Sequence, residues 1–446
     1  MSLTRIELPP PPDYVLAVLT RLQQAGGRGW IVGGAVRDWL LGGAPDDFDL
    51  VTDLPPQTVA DAFARVDRRE AELGTVRVAV DGQEVTVTTL REERGYSDRR
   101  HPDEVQFVTD PARDALRRDF RINALYFDPL RGELLDPLGG REDLDARRLQ
   151  VIGDAETRLA EDPLRLLRMV RFACRYELQL DDALQAATRR VAPTLASLSS
   201  ERIFAELTAT FVAPGRGRAL RLLVDLGIAD VILPEVSPMD GVEQPPEYHP
   251  EGDVLTHVCL VLDHCLPNDP VQAWSAVLHD VGKPKTFRRA RDRIRFDGHD
   301  NVSADMADAA LQRLRAPRLL RQRVEDVCRQ HIRFAALPQM RPVRAERWLR
   351  QEHFRDHLEF HRADCLGSHE KLEIYRFARD KLEQLPEPSD PLLTGKDVLA
   401  LAVPPGPEIG QILRSIEDRL AEESVPPTRQ RALILLRDAV AQRRQG

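Results

Sequence analysis

An α/β domain followed by all-α domains is the fold class that this 446-residue sequence predicts. Three observations predict it. Strand-like apolar runs alternate with helical stretches only up to about residue 146. Beyond that point apolar residues recur at spacings of three and four, as on one face of a helix. Stretches rich in Pro and Gly then separate the helical blocks. A chain of this length exceeds one ordinary hydrophobic core, so two to four domains are expected.

Pro9–Pro12 is an extended lead-in. In the first domain, 1–146, the runs Trp30–Val32, Phe48–Val51, Val76–Val80 and Glu84–Leu90 read as strands with helices between them. A helical segment follows over 147–236, its period carried by Leu164, Leu167, Val170 and Ala173. Ser237–Pro246 holds few large apolar residues and reads as a linker. A second helical block occupies 247–385. Proline-rich Leu385–Pro391 ends it, and a helical tail covers 390–446.

Hydrophobic content of 42% and charged content of 30% fit a soluble globular protein. No apolar run approaches the roughly 18 residues of a membrane helix, and the N-terminus lacks an apolar signal region. The chain is therefore read as cytoplasmic, with no membrane partner. Five cysteines form no CxxC pair, which fits reduced thiols without a zinc ribbon. A net charge of −9 does not advertise a nucleic-acid binder, but the arginines cluster, and total charge hides clustering.

The most informative segment runs from Gly33-Gly34-Ala35-Val36-Arg37-Asp38 to Asp47-Phe48-Asp49. Two glycines after an apolar strand let the backbone approach a ligand, and Arg37 on the following turn suits a phosphate. If Asp47–Val51 is a strand, its alternation puts both carboxylates on one face, within reach of the same divalent ion. Such hard oxygen ligands hold Mg²⁺ bridged to substrate phosphates. An isolated pair of this kind is more often a solvated strand edge; the glycine-arginine segment before it tips the reading to metal and phosphate.

Further motifs follow in order: the charged loop Leu90–Pro102, Arg117-Arg118-Asp119-Phe120-Arg121-Ile122-Asn123-Ala124, the turn Asp136-Pro137-Leu138-Gly139-Gly140, Glu161-Asp162-Pro163-Leu164-Arg165 at a helix start, and Ser200–Leu207. Together they closely resemble the class II CCA-adding tRNA nucleotidyltransferases, relatives of the polymerase β-like transferases and of bacterial poly(A) polymerases. The resemblance covers roughly residues 30 to 210. It implies a polymerase β-like palm with a mixed sheet, followed by a helical neck.

By that resemblance Asp47 and Asp49 hold two Mg²⁺ ions between a tRNA 3′-hydroxyl and the α-phosphate of CTP or ATP. Gly33, Gly34, Arg37 and Arg118 would hold the triphosphate, and Asp162 and Arg165 would face the base. An acceptor beside a donor suits cytosine and adenine, while guanine and uracil present the reverse order. Without that context, Asp162 and Arg165 would be a helix-start carboxylate and an i,i+3 ion pair. Arg165, Arg168, Arg171 and Arg175 form a basic ridge read as triphosphate and RNA contact in preference to a solvated face.

Three departures from the family pattern matter. Thr86 stands where a carboxylate commonly precedes Val87-Thr88-Thr89, and Glu84, one pleat earlier, is expected to supply the third carboxylate. Arg121 replaces the usual Thr. Residues 91–102 have the length of an enzyme able to add the final A, where CC-adding relatives have a shortened loop.

A second centre lies in the later helical block, in His257, His279-Asp280, His299, His331 and Asp364. An imidazole beside a carboxylate at a helix end, with distant His and Asp, suits a divalent metal. The pattern resembles the HD superfamily of metal-dependent phosphohydrolases. It implies His257, His279, Asp280 and Asp364 as ligands of a metal of unspecified identity, with His299 and His331 for a second metal or the phosphate. The alternative is a degenerate domain kept as a tRNA-binding scaffold.

The sequence therefore predicts template-independent addition of C and A to tRNA 3′ ends, with an accessory phosphohydrolase trimming damaged RNA ends. Narrower alternatives are an A-adding, CC-adding or poly(A)-forming enzyme. A third is a hydrolase whose transferase-like half binds RNA. The sequence does not fix an oligomeric state.

Overall fold

The structure, a computed structural model, describes residues 2–95, 103–291, 293–385, 391–420, 423 and 428–445. Of the loop expected over 91–102, Tyr96–Pro102 lies outside the described residues, as does most of the proline-rich break before the tail. Two compact units emerge, one of residues 1–242 and 309–317, the other of 243–308 and 318–446. Their junction after Val242 falls inside the expected linker. Part of that linker is nonetheless structural, since Met239 and Gln244 are buried. Among the described residues no helix is long and apolar enough to cross a membrane.

The first unit is built on an eight-stranded sheet. Its strands are β1 (Ser2–Arg5), β2 (Gly29–Val32), β3 (Asp49–Thr52), β4 (Val66–Asp67), β5 (Thr75–Val80), β6 (Gln83–Thr89), β9 (Tyr126–Asp128) and β10 (Glu133–Asp136). A separate ribbon pairs β7 (Arg91–Arg94) with β8 (Glu104–Phe107). The sheet order is β1-β10-β9-β2-β3-β6-β5-β4, with β3 and β6 parallel and the other pairs antiparallel. It is the mixed sheet expected of a palm.

The strands form where β-branched residues alternate with polar ones. In β5 Val76, Val78 and Val80 are buried, and in β6 Val85 and Val87 are. A core of Trp30, Val32, Val51, Leu90, Ala115 and Tyr126 fills one face. Register places Val32 opposite Asp49 and Leu50 opposite Val87, so Asp49 sits at the mouth of the central strand pair. Strands β1, β9 and β10 extend the sheet beyond the expected runs.

Helices follow. Ala155–Glu161 and Leu164–Arg175 are separate, broken at Asp162-Pro163, because proline disfavours helical backbone at the residue before it. Asp162 is accordingly extended, with φ −137° and ψ 98°. The expectation that Asp162 and Arg165 share one helix is therefore corrected: Asp162 stands in the break, and Arg165 in the first turn beyond it. Ser200–Phe211 packs against Leu164–Arg175 in the same unit.

Among the described residues the second unit is mostly helical, with a short ribbon of β11 (Arg288–Arg289) and β12 (Ile294–Arg295). Helices Val254–His264, Pro270–Leu278, Arg318–Gln330 and Phe354–Leu366 pack on one another. Val254, Val258, Val261, Trp274 and Val277 are fully buried there. The tail has an apolar core of its own, in which Ile412, Ile416, Ala432 and Leu436 meet.

Candidate active site and metal cluster

Gly33 follows β2 with φ 73° and caps the Gly34–Leu40 helix. A left-handed φ at this point strains any residue with a Cβ, which accounts for glycine here. The turn brings Gly33 to the Arg118 guanidinium, 3.9 Å from where a Cβ would stand. Asp47 precedes β3 in an irregular segment and Asp49 is the strand's first residue; both are exposed, and Phe48 between them is buried.

Asp49 has a raised pKa. The surrounding protein mass and the Asp47 carboxylate push it up, while Arg118 and Arg168 pull it down. These four side chains thus form one electrostatic group. Two like charges at a strand mouth with arginines facing them repel one another unless a cation joins them, so the donor set fits a hard divalent ion.

Each arginine is itself held by a carboxylate. Arg118 donates to Asp114 at 3.1 Å and to the Tyr126 hydroxyl at 3.0 Å. Burial alone would raise the pKa of Asp114, but Arg118 and Arg117 outweigh it and hold the carboxyl at about 2. Arg168 is held by Asp119 at 2.8 Å, and Asp119 also accepts from Asn123. Asp114 and Asp119 were not among the expected site residues, because nothing in their spacing announces a partner.

Other expected ligand residues have different surroundings. Arg37, expected on the triphosphate, is 5% exposed and spends its donors on Asn123 at 2.6 Å, Asp38 at 2.9 Å and the Tyr176 hydroxyl at 2.6 Å. It also lies over the Tyr176 ring. In this structure Arg37 is a buried link between the sheet and the Leu164–Arg175 helix, because three acceptors surround it. Gly34 lies beside it.

The arginines of the basic ridge are ion-paired. Arg165 meets Glu161 at 3.0 Å, Arg171 meets Glu206 at 2.6 Å and Arg175 approaches Asp38 at 3.8 Å. Those arginines and Arg168 each have a carboxylate partner, so the ridge is an ion-paired seam. The two Asp162 oxygens face one Arg202 nitrogen at 3.2 and 3.3 Å.

Glu84 is exposed at the start of β6. Extending the β3–β6 register sets Thr86 beside Asp49, which leaves Glu84 one pleat further along the strand. Among the described residues no contact joins Glu84 to Asp47 or Asp49; its charge acts on Arg69. Arg121 lies half-open, 4.0 Å from Asp143. Its carbonyl is crossed closely by Gly140, where a Cβ would come within 2.2 Å of it.

In the second unit the structure brings together all six expected residues. His257 Nε2 is 3.3 Å from His279 Nε2 and 3.1 Å from Asp364. His299 Nε2 is 3.2 Å from His331 Nε2. Asp280 stands between the two pairs, Oδ2 at 3.1 Å from His279 and Oδ1 at 3.5 and 3.8 Å from His299 and His331.

The other ring nitrogens explain this convergence. Nδ1 of His279, His299 and His331 meets the carbonyls of Ala276, Phe296 and Cys328 at 2.9, 2.8 and 2.6 Å. Nδ1 of His257 meets Glu251 at 2.8 Å. An Nδ1 that donates to an oxygen leaves Nε2 a bare lone pair. Three such lone pairs, of His279, His299 and His331, point into one space with the His257 Nε2 and a buried carboxylate oxygen without a hydrogen bond, Asp280 Oδ1. The donor set fits divalent metal on both sides of Asp280.

Burial alone would lower the His257 pKa, but Asp364 and Glu251 raise it to about 9. Burial and the other imidazoles drop His331 to about 3. Burial would raise Asp280, yet His279 and Lys283 hold it well below the usual range. Lys283 Nζ lies 2.7 Å from Asp280 Oδ2. The cluster floors a cavity of about 440 Å³ that Tyr248, Arg293, Arg295 and Phe296 also line.

The sheet and the acid-arginine group define the class: a nucleotidyltransferase with the head domain of poly(A) polymerases, whose family description matches residues 29–150. Residues 177–239 match a second family, described as a probable RNA- and SrmB-binding site of polymerase A. The chain is 34% identical to an A-adding tRNA nucleotidyltransferase of Deinococcus radiodurans, over 91% of this chain and 94% of that one. It is 33% identical to a CCA-adding enzyme of Bacillus pumilus, over 61% of this chain and 64% of that one. The fold is that of a Bacillus stearothermophilus CCA-adding enzyme solved with CTP, with a TM-score of 0.66, 24% identity and coverage of 98% and 99%. The chain belongs to the tRNA nucleotidyltransferase family.

Proposed function

We propose that this protein adds C and A nucleotides from CTP and ATP to tRNA 3′ ends without a nucleic-acid template. The observation that carries this reading is the group of Asp47, Asp49, Arg118 and Arg168 at the mouth of β3. Two Mg²⁺ ions held by Asp47 and Asp49 would lower the pKa of the RNA 3′-hydroxyl and neutralise charge gathering on the departing pyrophosphate. Arg118 and Arg168, oriented by Asp114 and Asp119, face the triphosphate and draw charge toward the leaving group. Arg37 supports this seat from behind, through Asn123 and Tyr176.

Asp162 and Arg165 read the base as acceptor and donor, and the carboxylate of Glu161 and the guanidinium of Arg202 orient them. A site built to satisfy one hydrogen-bond order rejects the reverse order by leaving buried groups unpaired. We divide the chain into a palm (1–146), a neck (147–236), an HD-like domain (247–385) and a tail (390–446).

Three tRNAs lacking CCA, CA or A, each offered CTP, ATP or both, test the assignment by product length. Extension of all three supports full CCA addition. Extension only of the tRNA lacking A supports A-addition alone, a reading favoured by the near-full-length match to an A-adding relative. Incorporation that survives Asp47→Ala overturns the site.

The second unit adds a metal-dependent phosphohydrolase, supported by the four convergent imidazoles around Asp280. A divalent ion held there would activate water and neutralise phosphate charge. Lys283, ion-paired with Asp280, and the arginines lining the cavity supply positive charge for a phosphoester. RNA ending in a 2′,3′-cyclic phosphate, offered with Ni²⁺, Mn²⁺ or Mg²⁺, should be opened; no hydrolysis with any of them removes this activity.

A further inference from the structure

Base reading and triphosphate holding fall on different segments, and one side chain joins them. Arg158, on the Ala155–Glu161 helix, has a largely buried guanidinium. Its Nη2 donates to the carbonyls of Leu116 at 2.9 Å and Arg118 at 3.1 Å. Its Nη1 donates to the Glu161 carboxylate. The same Glu161 oxygen accepts from Arg165 Nη1 at 3.0 Å, and Arg165 Nη1 also donates to the Arg158 carbonyl at 2.7 Å. An unbroken hydrogen-bonded path thus runs from the backbone of Arg118 to the guanidinium of Arg165.

We propose that Arg158 is a positioning residue for nucleotide selection: through Glu161 it fixes Arg165 against the backbone that carries Arg118. The inference rests on the reading that Asp162 and Arg165 face the base. Arginine suits the role because its planar fork serves two carbonyls with one nitrogen and a carboxylate with another. Lysine has one nitrogen, which cannot span both groups in that geometry. Without Arg158 the Glu161 carboxylate keeps Arg165 as partner but loses its anchor, so the base-reading group can drift relative to the triphosphate seat. A misplacement of about 1 Å in a reacting assembly lowers rate by about a hundredfold. A drift between base and phosphate contacts falls hardest on selectivity.

The test is single-turnover incorporation of CTP, ATP, UTP and GTP into tRNA lacking its 3′-terminal nucleotides. It uses the full-length protein and the variants R158A, R158K, E161Q and R165A. Preference for the accepted over the rejected nucleotides should fall about tenfold or more in R158A and E161Q, with R158K between them and wild type. The R158A/E161Q double variant should be no worse than either single one, since both cut the same path. A merely structural Arg158 would slow all four nucleotides in proportion, and an unchanged preference overturns the inference. R165A separates the two levels. If R165A leaves preference intact, base reading by this side chain is wrong; if R165A collapses preference and R158A and E161Q do not, only the positioning role is wrong. Should R158A fail to fold, E161Q and R158K decide the question.

Discussion

One nitrogen of Arg202 sits 3.2 and 3.3 Å from the two carboxylate oxygens of Asp162, across 40 residues of sequence. This ion pair lets a helix break present a fixed, charged acceptor. Arg202→Ala should therefore lower incorporation of the accepted nucleotides, but less than Asp162→Ala, which removes the acceptor itself. We expect a loss of about a hundredfold for Asp162→Ala and about tenfold for Arg202→Ala, read as kcat/KM for CTP and ATP. Equal effects of both would mean that Arg202 touches the nucleotide directly.

Asp49 gives a prediction about stability against activity. Its pKa lies above the ordinary value of 3.8, raised by the surrounding protein mass and by the Asp47 carboxylate. A carboxyl of raised pKa adds stability below its unfolded pKa, and that stability is lost as pH rises through the folded pKa. Asp49→Asn should thus match or exceed wild type in Tm at pH 7 without Mg²⁺, with the gap closing below about pH 4. Added Mg²⁺ should raise the wild-type Tm and leave the variant unmoved, while the variant transfers no nucleotide. A variant less stable than wild type at pH 7 would deny the repulsion.

How far the sequence carried these conclusions follows from the kind of signal each feature leaves. The strands Thr75–Val80 and Gln83–Thr89 were legible because buried valines alternate with polar residues. Ser2–Arg5 and Tyr126–Asp128 were not: a strand of three or four residues cannot display a period, and the pairing that defines it is remote. Asp47, Asp49 and the six HD residues were legible as motif chemistry. The groups that hold Arg118, Arg168, Asp162 and His257, namely Asp114, Asp119, Arg202 and Glu251, were not, since each acts through a tertiary contact or from an irregular loop. The same blindness made the arginine ridge look open when each of its members meets a carboxylate.

Glu84 marks the limit of strand-face reasoning. Sharing a face with Thr86 puts it about 7 Å further along β6, not at the acids. Its carboxylate is exposed. Glu84→Ala should accordingly lower turnover by about tenfold or less and shift the Mg²⁺ concentration for half-maximal rate upward, against abolition in Asp49→Ala. Normal turnover with an unchanged Mg²⁺ midpoint would leave Asp47 and Asp49 as the whole acidic set.

Asp114 is fully buried and neutralises Arg117 and Arg118. Removing one partner of a buried pair leaves an uncompensated charge, worth about 3 kcal/mol or more. Asp114→Ala should lose that much in urea unfolding at pH 7. The carboxyl titrates at about 2, below its ordinary 3.8, so its contribution is present above 3.8 and is lost as pH falls toward 2. The variant and wild type should therefore converge in stability over that interval. A constant gap down to pH 2 would assign the loss to packing.

The HD-like cluster makes a prediction independent of catalysis. The Nε2 atoms of His257, His279, His299 and His331 converge around the Asp280 carboxylate. A ligand that binds the folded state alone raises stability by RT ln(1 + [L]/Kd), about 2.7 kcal/mol at a hundredfold excess over Kd. Mn²⁺ or Ni²⁺ added to chelator-treated protein should raise Tm, and Asp280→Ala should abolish most of that rise because it removes the oxygens that face both imidazole pairs. His331→Ala should remove only part of it, since His257, His279 and Asp364 remain. Calorimetric titration then counts the ions, two in wild type and one in His331→Ala. A single ion in wild type, unaffected by His331→Ala, would restrict the site to the His257 side and leave His299 and His331 to the phosphate.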